Sequence, residues 1–134
     1  MKFITLILLS LTIHSYANAG CLQNNKGDVV CGAGQCLQNN YGEVVCATAV
    51  GAACATNDHG AVVCGETPYA GCATNDHGAV VCGAGQCLQN NYGAVVCAEA
   101  EGAGCATNDR GAVVCSKSPH GACATNSHGA VVCN

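Results

Sequence analysis

Apolar and polar positions follow one short pattern that recurs along most of the chain. From Cys21 onward the sequence repeats C-x-x-N-x-x-G-x-V-V-C, so a polar Asn-to-Gly stretch separates two segments that carry the apolar residues. β-Branched valines favour extended backbone, and Asn and Gly are typical turn residues. Each unit therefore predicts a β-hairpin. No segment of this region keeps a helical apolar period, so we predict an all-β array with essentially no helix.

Seven copies of the unit occur, joined by connectors of four or seven residues. Three copies begin CLQNN and four begin CATN, and the four-residue connector is GAGQ both times. Residues 36–86 align with residues 87–134, so three hairpins form a larger unit that is duplicated. This self-similarity predicts a repeat or solenoid-like protein. The seven copies span residues 21–31, 36–46, 54–64, 72–82, 87–97, 105–115 and 123–133.

The turn sets the register of each hairpin and thereby the cysteine pairing. Folding the third copy about His59 places Cys54 opposite Cys64 and leaves a three-residue loop that ends at a glycine. The cysteines then fall at a non-hydrogen-bonded pair, with Cα atoms about 4.5 Å apart, at the short end of disulfide geometry. A bond between neighbouring copies, such as Cys31 to Cys36 across GAGQ, is the alternative. The predicted disulfides are Cys21–Cys31, Cys36–Cys46, Cys54–Cys64, Cys72–Cys82, Cys87–Cys97, Cys105–Cys115 and Cys123–Cys133.

An isolated hairpin is marginally stable in water, so the hairpins need neighbours. The two valines of each copy point to opposite faces of the hairpin, and the many Ala and Gly residues allow close approach. We therefore predict an array in which hairpins bury Val and Ala against each other. A solenoid, a flat sheet and beads on flexible connectors all remain open at this point.

The first 19 residues read as a secretory signal peptide. Lys2 gives a positive start, residues 3–13 form an apolar segment too short to span a bilayer, and Ala17 and Ala19 give the small-x-small cleavage pattern. We expect cleavage after Ala19, leaving residues 20–134 as one cysteine-rich repeat domain. A lipoprotein with Cys21 as its anchor is the alternative, although the first repeat needs that cysteine.

Composition supports export and explains the need for covalent closure. The chain has 14 cysteines, and all of them follow the predicted leader. A dense, even set of cysteines behind a signal peptide indicates disulfides formed in an oxidising compartment, which for this chain means a secreted, periplasmic or cell-surface location. Beyond the leader the chain lacks Trp, Phe, Met and Ile. Large apolar side chains are therefore nearly absent, and disulfides must replace much of the core.

The charge pattern argues against two classes of partner. The net charge of the full chain is −4, and beyond the leader the cationic residues Lys26, Arg110 and Lys117 are scattered among more numerous Asp and Glu residues. Nucleic-acid binding and binding to an anionic membrane both need a basic patch, which the sequence lacks. We expect no nucleic acid and no membrane span, and we leave self-association possible.

The stretch GAGQCLQNNYGEVVC, residues 32–46, resembles repeats in uncharacterised, secreted, cysteine-rich bacterial proteins. The similarity covers all of residues 20–134. No activity is established for that group, so the resemblance implies export and a repeat architecture only.

Metal binding and catalysis are both disfavoured. No C-x-x-C knuckle occurs, and oxidised cysteines cannot act as thiolate ligands. His59, His77 and His128 share one turn position, where a solvated polar tip is the simpler interpretation. No Ser–His–Asp or paired-carboxylate set stands out, and turn tips lack the burial that tunes catalytic groups. We expect no metal, no cofactor and no catalytic residue, and therefore a protein that is not an enzyme.

Two polar patterns suggest binding instead. Tyr41 and Tyr92 are aromatic turn tips beside paired asparagines, a combination suited to contacts with glycan or protein surfaces; packing of each tyrosine on its own turn or on the next hairpin is the alternative. Thr56, Thr74, Thr107 and Thr125 share one hairpin face, as in ice-binding proteins of insects, but Gln interrupts the row and Thr also suits pairing with Val. The leading hypothesis is an exported structural and interaction scaffold at the cell surface or in secreted matrix. The alternative is an extracellular binding module for glycan, metal ion or ice, with an unknown protein or glycan surface as partner and with candidate binding residues Tyr41, Tyr92, His59, His77 and His128.

Overall fold

The computed structural model describes residues 20–134, and the predicted signal peptide over residues 1–19 lies outside them. The described range contains fourteen short β-strands and no helix, paired as seven separate antiparallel hairpins. The predicted all-β hairpin array is confirmed. Hairpin 1 is β1 with β2, and the numbering continues in chain order to hairpin 7. The strands are β1 Cys21–Gln23, β2 Val29–Cys31, β3 Cys36–Gln38, β4 Val44–Cys46, β5 Cys54–Thr56, β6 Val62–Cys64, β7 Gly71–Thr74, β8 Val80–Gly83, β9 Cys87–Gln89, β10 Val95–Cys97, β11 Cys105–Thr107, β12 Val113–Cys115, β13 Cys123–Thr125 and β14 Val131–Cys133.

Each hairpin is closed by its own disulfide, in the predicted register. Cys54 lies opposite Cys64, and the equivalent pairs face each other in the other six hairpins. The paired Cα atoms are 4.0–4.1 Å apart. Cys31 is bonded to Cys21 and Cys36 to Cys46, so the alternative bond across GAGQ does not form. Residues 20–134 contain no free cysteine.

The turns use Asn and Gly as the sequence predicts. In hairpin 3 the Asn57 side-chain oxygen accepts hydrogen bonds from the backbone N–H groups of His59 at 3.0 Å and Ala61 at 2.9 Å. Gly60 then takes a φ of +78°, in the left-handed region that favours glycine. The other six turns repeat both features.

The hairpins stack in chain order, and two rows of backbone hydrogen bonds join each hairpin to the next. In the turn row, the residue after the turn Asn donates to the turn Gly of the next hairpin. The six bonds are Asn25 to Gly42, Asn40 to Gly60, Asp58 to Gly78, Asp76 to Gly93, Asn91 to Gly111 and Asp109 to Gly129. The base row lies at the cysteine end of the hairpins. There, the N–H of the residue before the first cysteine donates to the carbonyl two residues before the first cysteine of the next hairpin. These six bonds are Gly20 to Gly34, Gln35 to Ala52, Ala53 to Ala70, Gly71 to Gly85, Gln86 to Ala103 and Gly104 to Gly121.

These bonds settle the question that the sequence left open, because neighbouring hairpins are bound at both ends. The array is a continuous stack. It is neither a flat sheet, since no strand pairs with a strand of another hairpin, nor a string of loose beads.

Each hairpin has two different faces. The cysteine face carries both half-cystines and the first valine of the Val-Val pair, and the opposite face carries the second valine. The Cys36 sulfur lies 3.2 Å from the carbonyl oxygen of Gly20 and 3.9 Å from that of Val30, both associated with hairpin 1. A half-cystine sulfur has no hydrogen to donate, so these are packing contacts. The cysteine face therefore packs on the preceding hairpin, and the opposite face packs on the following one.

The core lies at the base of the stack, where the seven-residue connectors fold back. One buried cluster contains Ala47, Ala52, Ala70 and Cys54, and its counterpart in the second larger unit contains Ala98, Ala103 and Cys105. Valine burial is smaller than the sequence predicts, since Val63, Val81 and Val114 remain exposed. The physical reason is that the stack is one hairpin wide, so many valines keep an open edge.

Candidate functional site: the turn-tip ridge

The outermost residues of the seven turns form one row along the stack, which we call the turn-tip ridge. Its residues are Lys26, Tyr41, His59, His77, Tyr92, Arg110 and His128. The turn row of hydrogen bonds aligns consecutive tips. Side chains reinforce this alignment at the start of the ridge, where the Asn25 amide donates to the Tyr41 carbonyl and the Asn40 amide to the His59 carbonyl, both at 3.1 Å.

The structure brings all five candidate binding residues onto this ridge, and four of them are consecutive. Tyr41, His59, His77 and Tyr92 occupy the tips of hairpins 2–5, so four ring-bearing side chains follow one another. His128 stands apart at the tip of hairpin 7, beyond Arg110. Tyr41 is 77 % exposed and Tyr92 84 % exposed. At this exposure neither tyrosine is packed away on its own turn or on the next hairpin.

Carboxylates flank the two central histidines. His59 Nδ1 lies 2.6 Å from Asp58 Oδ1, and His77 Nε2 lies 3.6 Å from Asp76 Oδ1. Both histidines keep more than four fifths of their side-chain surface open to solvent. At such exposure an ion pair contributes little to stability, so these side chains remain free to contact a ligand.

The order of tips around each tyrosine is mirrored. Tyr41 lies between Lys26 and His59, and Tyr92 lies between His77 and Arg110. Each tyrosine therefore has one permanently cationic neighbour and one histidine. An open groove at the first of these places is lined by Tyr41, by the apolar residues Val30 and Val44, and by four polar residues. Its polar members are Asn24, Asn25, Lys26 and Glu43.

Residues 20–134 contain no group of three or more His, Cys, Asp or Glu side chains arranged as a metal site. Each ridge histidine has a single carboxylate neighbour or none. All cysteines of this range are tied up in disulfides, so none of them can offer a thiolate ligand under oxidising conditions.

The threonine row does not form a free ladder. Thr74 Oγ1 donates to the Thr56 carbonyl at 3.0 Å, and Thr125 Oγ1 donates to the Thr107 carbonyl at 2.7 Å. Two of the four hydroxyl protons are therefore committed to the preceding hairpin. Thr74 and Thr125 therefore act as inter-hairpin contacts.

A second pair of rings lies at the base and is not evident from the sequence. Tyr69 and His120 have φ values of +58° and +55°, although neither is glycine. Gly51 and Gly102 fill the same turn position in the other seven-residue connectors, with φ of +68° and +62°. The Tyr69 and His120 rings meet edge to face with centroids 5.3 Å apart. The sequence carries one signal for this pair. When the seven-residue connectors are aligned, Tyr69 falls at the position of Gly51.

Comparison with known proteins assigns no family to the chain: no family model, curated protein or solved structure matches it. Residues 20–134 include no helix with the length and apolar character of a membrane span.

Proposed function

We propose that this protein is an exported, non-enzymatic scaffold that acts as a structural and interaction protein at the cell surface or in secreted matrix. The observation that carries the proposal is the uniform stack. Every hairpin is covalently closed, every hairpin is bonded to its neighbours at both ends, and every hairpin presents one exposed tip on the same ridge. Such an arrangement suits durable display of many side chains in a fixed order.

Seven disulfides indicate an oxidising environment, and export would provide one. The predicted cleavage after Ala19 is directly testable on the secreted protein. We expect its intact mass to begin at Gly20 and to include seven disulfides. A diacylated Cys21 would instead identify a membrane-anchored lipoprotein, and a retained leader would contradict export by this route.

The ridge offers repeated weak contacts in place of one deep site. Tip side chains are highly exposed, and single contacts of this kind are weak. Repetition at fixed spacing converts weak contacts into strong overall attachment through effective concentration. Attachment should therefore decline step by step as tips are removed.

The test compares the natural chain with a ridge variant in which Tyr41, His59, His77 and Tyr92 are all replaced by serine. These side chains are exposed, so the variant should keep its seven disulfides and its circular-dichroism spectrum. We expect the natural protein to remain in the surface or matrix fraction and the variant to be released into the medium. Equal retention of both proteins would contradict a scaffold that acts through the ridge.

Glycan binding is the second candidate, and the mirrored tyrosines favour it. An exposed tyrosine ring can stack on a sugar face, while neighbouring amide and charged groups bond hydroxyls. The groove beside Tyr41 combines both kinds of group. A glycan array with the Gly20–Asn134 protein tests this candidate, with Tyr41→Ala and Tyr92→Ala as loss variants and Val50→Ala as an exposed control at the base. Binding that both tyrosine variants reduce supports a glycan ligand, and a silent array leaves the scaffold without this activity.

A further inference from the structure

The stack has two unlike ends. Because the cysteine face of each hairpin packs on the preceding hairpin, hairpin 1 has nothing on its cysteine face within residues 20–134. Val29 is 67 % exposed there, and Cys21 and Cys31 are also exposed, whereas the equivalent residues of hairpins 2–7 are buried or half-buried. We call this surface the first end face.

Hairpin 7 shows the converse. Its cysteine face packs on hairpin 6, and Cys123, Val131 and Cys133 are half-buried. Within residues 20–134 nothing packs on its opposite face, where Val132 is 62 % exposed and Ala124 is exposed. We call this surface the last end face. Each end face is thus one half of an interface that occurs six times inside the chain.

The hydrogen-bond rows leave matching groups at the ends. Six turn N–H groups donate to a glycine carbonyl of the following turn, but Ser127, in the last turn, has no following turn within the described residues. At the other end, the Gly27 carbonyl accepts the Gln23 amide, and within residues 20–134 it receives no turn N–H from another hairpin. A donor at the last end face thus corresponds to an acceptor at the first.

Unlike the turn row, the base row leaves no free donor at the last end face within residues 20–134. Its last donor, the Ala122 N–H, bonds the Asn134 side-chain oxygen at 2.6 Å. This donor is already satisfied, so a junction between two molecules would need bonds only on the turn side.

From these observations we propose that the last end face of one molecule docks on the first end face of a second copy, continuing the stack from chain to chain. The contact is heterologous, since two different faces meet, so it forms open chains of molecules and does not close as a symmetric dimer. Each face belongs to one eleven-residue hairpin, fewer than the roughly 20–30 residues per side of a standard interface, so the association is weak and concentration-dependent. It does not depend on what the turn-tip ridge binds.

Two single substitutions test the docking, each placing a charge on one end face. Val29→Lys alters the first end face and Val132→Lys the last. Both valines are mostly exposed, so the fold and the seven disulfides should persist. Val50→Lys, at an exposed valine of the base, is the matched control. The measurement is sedimentation velocity of the Gly20–Asn134 protein over a concentration series.

We expect the average mass of the natural protein and of Val50→Lys to rise with concentration without levelling off at a dimer. Val29→Lys and Val132→Lys should each associate at least tenfold more weakly. An equimolar mixture of these two variants should form 1:1 pairs and nothing larger, because each retains one working face. A natural protein that stays monomeric up to about 1 mM, or end-face variants that associate as well as Val50→Lys, would overturn the proposal.

Discussion

Turn glycines are needed for two separate reasons, and Gly60 shows both. Its φ of +78° disfavours any residue with a Cβ atom. In addition, a Cβ at this position would lie 2.5 Å from Cγ of Asn40, because the preceding turn packs directly on the glycine. Gly27, in the first turn, has a similar φ of +89°, but a Cβ there would lie 3.6 Å from its nearest neighbour, Nε2 of Gln23. Comparing substitutions at these two glycines therefore distinguishes the cost of backbone strain from the cost of crowding.

We predict that Gly27→Ala lowers the local stability of hairpin 1 by about 1–2 kcal/mol, the cost of a left-handed L-residue. Gly60→Ala should cost roughly 1–3 kcal/mol more, since Asn40 must also move. Hydrogen-exchange protection of the amides in each substituted hairpin measures both values. Equal losses in the two variants would mean that contact between turns contributes nothing.

Two equivalent connectors of the duplicated unit fill the same small space from opposite sides. A Cβ on Gly65 would overlap Cβ of Ala70, and in the second unit a Cβ on Gly121 would overlap the Ser116 side chain. Gly65 matches Ser116 in the duplication, and Ala70 matches Gly121. There is room for one side chain in each place, and the two units differ in which residue supplies it.

The residue pair of the second unit should therefore also fit in the first unit. We predict that Gly65→Ser destabilises the protein by roughly 1–3 kcal/mol through overpacking, and that adding Ala70→Gly restores most of that loss. In the natural second unit, Ser116 Oγ accepts the Ser118 N–H, and the double variant offers the same bond to Thr67. A double-mutant cycle from chemical denaturation gives the coupling free energy. Additive effects would contradict the shared space.

At the level of the hairpin, the sequence predicted register, turn chemistry and disulfide pairing correctly. These features depend on local signals, namely the Asn–Gly spacing and the cysteines placed symmetrically about it. The stacking was harder to predict, because the two joining rows use backbone N–H and C=O groups that nearly every residue type carries. The left-handed backbone at Tyr69 and His120 was also hidden, since neither residue type favours it as glycine does.

Disulfides should differ in their resistance to reduction according to position in the stack. Cys21 and Cys31 are exposed on the first end face, whereas Cys54, Cys87 and Cys105 are less than 10 % exposed. We predict that limited reduction under native conditions, followed by peptide mapping, opens Cys21–Cys31 first. Each bridge contributes about 2.8 kcal/mol on the chain-entropy model for an eleven-residue loop. Simultaneous loss of all seven bridges would show that the hairpins share one opening event.

Across the whole molecule, the sequence predicted the candidate residues but not the surface that they form. Tyr41, His59, His77 and Tyr92 stand out from their turn positions alone. Their arrangement as consecutive tips depends on stacking, which local patterns do not encode. The two unlike end faces likewise depend on which hairpin face packs on the preceding hairpin.

Removing residues 87–134 tests whether the stack is modular. In a quasi-one-dimensional array each hairpin depends mainly on its neighbours. We predict that residues 20–86 fold alone with four disulfides and a moderate fall in the denaturation midpoint. Native mass spectrometry and thermal denaturation measure these outcomes. Unfolding of the shortened chain would reveal a single cooperative core that spans both larger units.

The position of the disulfides also limits how far the protein can lengthen under tension. Each bridge joins residues separated by ten positions, so a pulling force passes through the sulfur atoms and bypasses the hairpin loop. At roughly 3.3–3.6 Å per extended residue, each bypassed loop contains about 33–36 Å of chain that cannot extend while its disulfide is intact. Even when the hairpins are pulled apart from one another, only the connectors can extend. The reach of an oxidised molecule is therefore set by its connectors alone, and reduction would release the additional length stored in its loops.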